Sequence, residues 1–207
     1  MQKHLQLTRQ RAQNFAALLE QRFYTERAPV ALAVFSAPGR ISYAEAMQGE
    51  YRPAQVGEKF GPLWSTHWFR IALEIPAAWQ GREVHLLFDS SSEACVWQDG
   101  VPLQGLTGSF STWQPEPIRT SYCLTGAAQG GEMLEYYVEV ACNGLFGLDA
   151  KLNNARLGEL CQAEIGAFDR DAWDLYWDLK VIADMALHLP ANTPRGGQAL
   201  YLSLIHI

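Results

Sequence analysis

The sequence has few basic residues and no cluster of them. Lysine and arginine together number 16 against 22 aspartate and glutamate residues, which gives a formal net charge of −6. A surface that binds a phosphate backbone needs clustered lysine and arginine side chains. The composition therefore disfavours nucleic acid as a partner.

Long apolar runs and paired cysteines are also missing. No stretch approaches the roughly 20 apolar residues that span a bilayer, so we expect no membrane partner. The N-terminal residues MQKHLQLTRQRAQNF lack the apolar segment of a signal peptide. Cys95, Cys123, Cys142 and Cys161 are widely spaced and form no C-x-x-C pair, which argues against a zinc ribbon. Without a signal peptide, we expect reduced thiols and a cytoplasmic protein.

The common catalytic motifs are absent. The sequence contains no G-x-x-x-x-G-K-[ST] phosphate loop, no G-x-S-x-G elbow, no H-E-x-x-H and no G-x-G-x-x-G. His67 shares the parity of the apolar residues around it, so we interpret it as a hydrogen-bonded core histidine rather than a metal ligand or base.

Two groups of carboxylates are candidate sites. A cation could bind Asp171, Asp174 and Asp178. The two carboxylates of a glycosidase could come from Asp89, Glu93 and Asp99. The first group has the spacing of a solvated helix face. In the second, Asp99 is explained by a turn and Asp89 by a strand end. We therefore predict no catalytic, cofactor-binding or metal-binding residue in this chain.

Period-two alternation dominates the middle of the sequence. It covers residues 67–75, 84–88, 94–98, 121–124 and 134–142. Asp99-Gly100 is a two-residue hairpin signal, because a type I′ turn needs positive φ at both positions. Short alternating strands separated by glycine and proline turns indicate a mostly β protein, an antiparallel β-sandwich.

Helical spacing of apolar residues predicts a helix at each end of the chain. The first covers residues 5–23, and the second is a single amphipathic helix of about 30 residues, from 155 to 189, closed by Pro190. The predicted organisation is an N-terminal helix (1–24), a β-sandwich (25–150), a helical linker (151–201) and a tail (202–207).

The last six residues, Leu-Ser-Leu-Ile-His-Ile, match the translation of a transposon-end adapter used in sequencing libraries. We interpret residues 202–207 as a tail foreign to the fold, which should make no specific contacts. The alternative is a genuine apolar C-terminal strand.

A glycine-flanked apolar pair follows the last predicted sandwich strand, at Asn143, Gly144, Leu145, Phe146 and Gly147. Glycine permits positive φ and close backbone approach, and the Asn143 amide can both donate to and accept from a sugar hydroxyl. Asn143, Gly144, Phe146 and Gly147 are therefore the candidate substrate-site or domain-interface residues. The alternative is an ordinary turn whose phenylalanine fills the core.

Several motifs occur in an order that resembles the N-terminal domain of glycoside hydrolase family 38 α-mannosidases, most closely the cytosolic and vacuolar branch. They are YRPAQVG at 51–57, FGP at 60–62 with Trp64 and Trp68-Phe69-Arg70 after it, IP-x-x-W-x-G at 75–81, VW-x-DG-x-P-x-QGL at 96–106 and VEVACNG at 138–144. The resemblance is strong from residue 51 to 147 and weak over the two helices. It implies a sandwich of the galactose-binding-like kind.

The resemblance implies a retaining exo-α-mannosidase that hydrolyses α-linked mannose from oligosaccharides. The family's catalytic domain follows this one and holds a divalent metal, usually zinc, with an aspartate nucleophile. Its metal-binding motif is absent here, so no catalytic residue carries over and this chain alone should be inactive. Its expected partners are that catalytic domain, on the same polypeptide, and the oligosaccharide. Two alternatives stay open: a stand-alone carbohydrate-binding module, and the N-terminal domain of a different glycosidase.

Overall fold

The computed structural model describes residues 5–108, 118–143, 157–190 and 192–205. The chain divides into two compact units, one of Glu26–Ala167 and one formed by Met1–Thr25 with Phe168–Ile207. The helices are α1 (Leu5–Glu20), α2 (Tyr43–Ala46), α3 (Arg170–His188) and α4 (Pro194–Ile205). The strands are β1 (Tyr24–Pro29), β2 (Ala31–Ala37), β3 (Arg52–Pro53), β4 (Thr66–Glu74), β5 (Val84–Asp89), β6 (Glu93–Gln98), β7 (Val101–Thr107), β8 (Ser121–Thr125), β9 (Met133–Ala141) and β10 (Gln162–Phe168).

The strands form two sheets, which confirms the predicted β-sandwich. One sheet has the order β1-β10-β5-β8, and the other has the order β3-β2-β4-β9-β6-β7. The pairings of β4 with β9 and of β9 with β6 are antiparallel and bring Phe69, Val138 and Val96 into one row. All three side chains in this row are fully buried, because the alternation found in the sequence puts one face of each strand into the core.

The sandwich core is aromatic at its centre. Phe69 makes edge-to-face contacts with Phe60, at 5.0 Å between ring centroids, and with Phe88, at 5.4 Å. Edge-to-face pairs add attraction beyond the buried area, since the positive ring edge meets the negative ring face. The rest of the core is aliphatic and comes from both sheets, including Ile71, Leu86 and Ile165.

The hairpin between β6 and β7 has the predicted turn. Asp99 has φ 50° and Gly100 has φ 81°, so both central residues occupy the left-handed region that a type I′ turn needs. A Cβ added to Gly100 would be 3.8 Å from the Tyr43 ring, which is an ordinary contact. Backbone conformation, rather than space, is therefore what requires glycine here.

Replacing Gly100 with valine should lower the free energy of unfolding by about 1–2 kcal/mol, because a β-branched residue resists positive φ. Urea denaturation of the variant tests this, with Gly126→Val as the control: Gly126 has open space around its Cβ position and no positive φ. Equal denaturation midpoints for the two variants would contradict the expectation.

The single long helix predicted over residues 155–189 is wrong in its first half. Gln162–Phe168 is strand β10, which pairs with β5 from Gln162 opposite Asp89 to Ala167 opposite Val84. The apolar residues here fall at helical spacing by coincidence, and pairing on both sides of the strand outweighs that local signal. The sandwich therefore extends past the boundary predicted at residue 150.

The helical unit has its own small core, which Ala12 and Leu19 of α1 form with Leu179 of α3. Helix α1 ends at Glu20, three residues before the predicted end. Helix α3 begins with the Asp169 carboxylate accepting from the Ala172 N–H at 3.0 Å and ends at His188, directly before Leu189 and Pro190. Within the described ranges, no helix is long and apolar enough to cross a membrane.

The C-terminal residues are helical as far as Ile205. Leu202 lines a small cleft together with Ile182 and Met185 of α3. Leu202 thus continues helix α4, and the prediction that residues 202–207 make no specific contacts stays a prediction. The alternative, a strand, is not what residues 202–205 form.

Candidate functional site

Buried polar side chains gather at one end of the sandwich, where β4 and β6 begin and β5, β7 and β9 end. The strand pairings bring Glu93 opposite both Ala141 and Thr107. We call the following residues the polar end: Thr66, His67, Asp89, Ser90, Ser91, Ser92, Glu93 and Asn143. All except Glu93 are less than 9% exposed. Burial of so many polar groups is costly unless each finds a partner.

Asn143 is held by a carboxylate. Its Nδ2 donates to Glu93 Oε2 at 2.7 Å, and its side chain is 4% exposed. Its Oδ1 is buried and has no hydrogen-bond partner among the described residues. The amide was predicted to offer both a donor and an acceptor to a sugar hydroxyl. In the structure the Nδ2 donor is used by Glu93, and the Oδ1 acceptor has no partner among the described residues.

The serine loop between β5 and β6 is shaped by Asp89. The Asp89 Oδ1 accepts from the Ser91 N–H at 2.8 Å, and Ser91 has φ 49°. The Gly108 N–H donates to the Ser92 carbonyl at 3.0 Å, and a Cβ on Gly108 would lie only 2.7 Å from the Ser92 nitrogen. The loop is therefore packed against the end of β7, with the Ser90 and Ser92 hydroxyls buried and without a hydrogen bond to any described residue.

His67 is a core histidine, as predicted. Its Nε2 lies 2.8 Å from the Ser65 hydroxyl and its Nδ1 lies 3.0 Å from the Ser36 hydroxyl. Burial lowers the pKa of His67, and the nearby positive charge of Arg52 lowers it further. The lowered pKa favours the neutral imidazole, and the ring is hydrogen-bonded on both sides, which suits a structural role.

Trp64 is the exposed aromatic residue beside the polar end. It is 62% exposed and has φ 67°, a conformation that is strained for a bulky residue. The Trp64 N–H donates to the Cys142 carbonyl at 2.8 Å, which fixes this segment next to Asn143. Strain of this kind persists where the surrounding structure enforces it, often at functional sites.

A cleft of about 530 Å³ opens next to Glu93, and Thr107, Ile118 and Arg119 also line it. The Thr107 and Arg119 backbones exchange two hydrogen bonds, at 2.8 and 2.9 Å, which close this side of the sandwich. A carboxylate, a guanidinium and apolar side chains around one cleft can bind a polar neutral ligand.

The other candidate residues from the sequence either have a structural explanation or lie outside the described residues. Gly144, Phe146 and Gly147 lie outside the described residues. Asp99 forms the hairpin turn, as predicted. Asp171, Asp174 and Asp178 lie on an exposed face of α3. Sequence reasoning treated Glu93 only as one of a weak carboxylate set, because its partner Asn143 is 50 positions away and no local pattern links them.

One group of mixed metal-ligand types occurs among the described residues. Glu83, His85 and Cys123 each place a ligand atom within 4.8 Å of the other two. His85 Nε2 lies 2.7 Å from Glu83 Oε1, so the pair already forms a hydrogen bond without any ion. Cys123 lies directly opposite His85 on β8, a neighbourhood that sequence spacing could not reveal.

Two sheets packed over one shared hydrophobic core make this unit a β-sandwich domain. The model of the α-mannosidase jelly roll domain family matches residues 28–166, which is more than half of the chain. The chain therefore belongs to this family.

Curated relatives agree with this assignment. The chain is 41% identical over 214 residues to human α-mannosidase 2C1, covering 96% of this chain and 20% of the relative. It is 36% identical over 168 residues to α-mannosidase G of Dictyostelium discoideum, covering 79% of this chain and 15% of that protein. The chain thus spans a fifth or less of the length of these relatives.

Solved structures show a remote likeness. Ruminococcus gnavus β-glucuronidase matches 70% of this chain with 28% of its own, at a TM-score of 0.46 and 13% sequence identity.

Proposed function

We propose that the chain is the N-terminal, non-catalytic part of a retaining exo-α-mannosidase that removes α-linked mannose from oligosaccharides. The observation that carries the proposal is the family match over the whole sandwich. The short share of each relative that the chain covers supports a catalytic domain elsewhere on the polypeptide. The divalent metal that we expect, zinc, would then be bound by that domain and not by residues of this chain.

The substrate class is tested with the complete gene product. We expect it to hydrolyse an aryl α-mannoside and to leave the aryl β-glucuronide and β-galactoside intact. Hydrolysis of a β-glycoside without hydrolysis of the α-mannoside would contradict the proposal and favour a different glycosidase with a similar sandwich.

The polar end is the surface that we propose faces the catalytic domain. Glu93 and Asn143 fix the point where the chain leaves β9 toward residues 144–147. Trp64 adds an exposed aromatic ring beside that point. Loops at one end of a rigid sandwich are where such proteins place binding residues. Apolar residues between glycines, as in the sequence of 144–147, suit a surface that another domain covers.

Substitutions in the complete enzyme separate a substrate role of this loop from an interface role. Asn143→Ala should raise KM or lower kcat if Oδ1 accepts from a substrate hydroxyl, whereas Phe146→Ala should lower the melting temperature if Phe146 anchors the interface. Asn143→Ala also leaves the Glu93 carboxylate without its donor, so some loss of stability is expected from it. Parent-like melting and kinetics for both variants would mean that the loop is only a turn.

The same proposal assigns the enzyme to the cytoplasm. It rests on the sequence expectation that all four cysteines are reduced thiols, and none of the four forms a disulfide in the structure. Labelling with a thiol reagent after denaturation without reductant should modify all four in protein purified from the native host. Formation of an intramolecular disulfide there would contradict the assignment.

A further inference from the structure

The outer face of the six-stranded sheet carries an aromatic row with one acidic side chain in it. Glu139 of β9 lies directly opposite Trp68 of β4 on one side and Cys95 of β6 on the other. Trp97 lies two residues farther along β6, opposite Tyr137, and therefore on the same face of the sheet. These side chains point away from the core, because their neighbours Phe69, Val138 and Val96 form the buried row.

The segment before and within α2 closes over this row and leaves a cleft of about 410 Å³. The residues used below line it: Arg40, Ser42, Tyr43, Trp68, Trp97 and Glu139. The Tyr43 ring stacks on Trp97 at 5.8 Å between centroids and meets Trp68 edge-on at 5.9 Å. The capping box of Ser42 and Glu45 fixes the start of α2. The Tyr43 ring, which forms one wall of the cleft, is therefore held in place by α2.

Two indole N–H groups in the cleft are buried without a hydrogen-bond partner among the described residues, those of Trp68 and Trp97. Trp68 is 1% exposed as a whole. A buried donor without an acceptor costs free energy, so native proteins satisfy such groups with water or a ligand. One of them, the Trp97 N–H, lies near the Glu139 carboxylate, where a bound oxygen-bearing molecule would supply the missing acceptor.

Glu139 supplies the matching acceptor. Burial raises the pKa of its carboxyl group, while the Trp97 indole and the charge of Arg40 oppose that rise. Trp97 is thus near enough to act on the Glu139 carboxylate, although the two do not meet hydrogen-bond geometry. A hydroxyl group inserted between them, with a small rotation of the half-buried Glu139 side chain, would accept from the indole and donate to the carboxylate.

The charges around the cleft exclude several ligand classes. The Glu139 carboxylate opposes phosphates and nucleotides, as does the overall net charge of −6. The Arg40 guanidinium at the same cleft opposes a free cation. A neutral ligand with neighbouring hydroxyls suits both groups, and the apolar C–H face of a sugar ring suits the aromatic wall.

We infer that the cleft between α2 and the outer face of the six-stranded sheet is a binding site for one pyranose ring, with Trp97, Glu139 and Arg40 as its polar contacts and Tyr43 as its wall. The volume lies within the range of small-molecule sites. The choice of a mannoside as the sugar rests on the proposed function, whereas the site itself rests on the cleft.

The test is a titration of the 207-residue chain with methyl α-mannopyranoside. Binding is measured by NMR from the shifts of the tryptophan indole N–H resonances. We expect saturable binding in the millimolar range, with the Trp97 resonance among those that shift. Methyl α-glucopyranoside, a second pyranose, tests the stereochemical preference, and glycerol tests whether any polyol suffices.

Variants then assign the site. Glu139→Gln should weaken binding about tenfold, because the charged acceptor is lost. Glu74→Gln removes the same charge from an exposed position of β4 and should bind as the parent does. Trp97→Phe keeps an aromatic ring and removes the donor, so it tests the N–H independently if Glu139→Gln does not fold.

Three results would overturn the inference: no saturable shift with either pyranoside, equal shifts with glycerol, or equal affinity of Glu139→Gln and Glu74→Gln. None of these would affect the α-mannosidase assignment, which is tested by hydrolysis in the complete enzyme. The two proposals can therefore fail separately.

Discussion

Replacing Gly158 with alanine should lower the free energy of unfolding by about 3 kcal/mol or more, one of the largest effects expected of a single methyl group in this chain. Gly158 has φ 75°, and a Cβ there would lie 2.2 Å from the Phe60 carbonyl oxygen and 2.8 Å from Cys142 Sγ. The close approach is fixed by the Phe60 N–H, which donates to the Gly158 carbonyl at 2.8 Å.

Gly57→Ala is the matched control for this prediction. Gly57 also has positive φ, 94°, but its Cβ position has open space. The control therefore carries the cost of backbone strain alone, about 1 kcal/mol. Urea denaturation should show a clearly larger loss for Gly158→Ala. Equal losses would mean that the segments of Phe60 and Gly158 separate easily.

Replacing Phe69 with alanine should lower the free energy of unfolding by about 3–5 kcal/mol, because it removes a fully buried ring and leaves a cavity. Phe69 is 0% exposed and contacts the rings of Phe60 and Phe88, so it links the two sheets. Thermal and urea unfolding of Phe69→Ala measure the loss. Met133→Ala, at a position 80% exposed, should change stability by less than about 0.5 kcal/mol. Comparable losses would contradict the position of the core.

The parts of the fold that are local in sequence could be predicted from it. The alternation in β4 and β9 predicted paired strands, because one face of each is buried and the period is two. Asp99-Gly100 predicted its turn because few residue pairs tolerate positive φ at both positions. Asn143 was identified as a site candidate by the glycine-rich stretch after it.

The parts that depend on contacts distant in sequence could not be predicted. Strand β10 has weak alternation, and its conformation is decided by pairing with β5, more than 70 positions earlier. The Glu93–Asn143 hydrogen bond joins residues 50 positions apart. The aromatic cleft combines side chains of β4, β6, β9 and α2, which no local pattern in the sequence connects.

We propose above that this chain is part of an α-mannosidase and supplies none of its catalytic residues. The most direct measurement is hydrolysis of an aryl α-mannoside by the purified 207-residue chain, with the complete gene product assayed beside it. The account predicts turnover by the complete enzyme and none above the blank for the chain alone, even where the chain binds the sugar. Turnover by the chain alone that persists through repurification would contradict it.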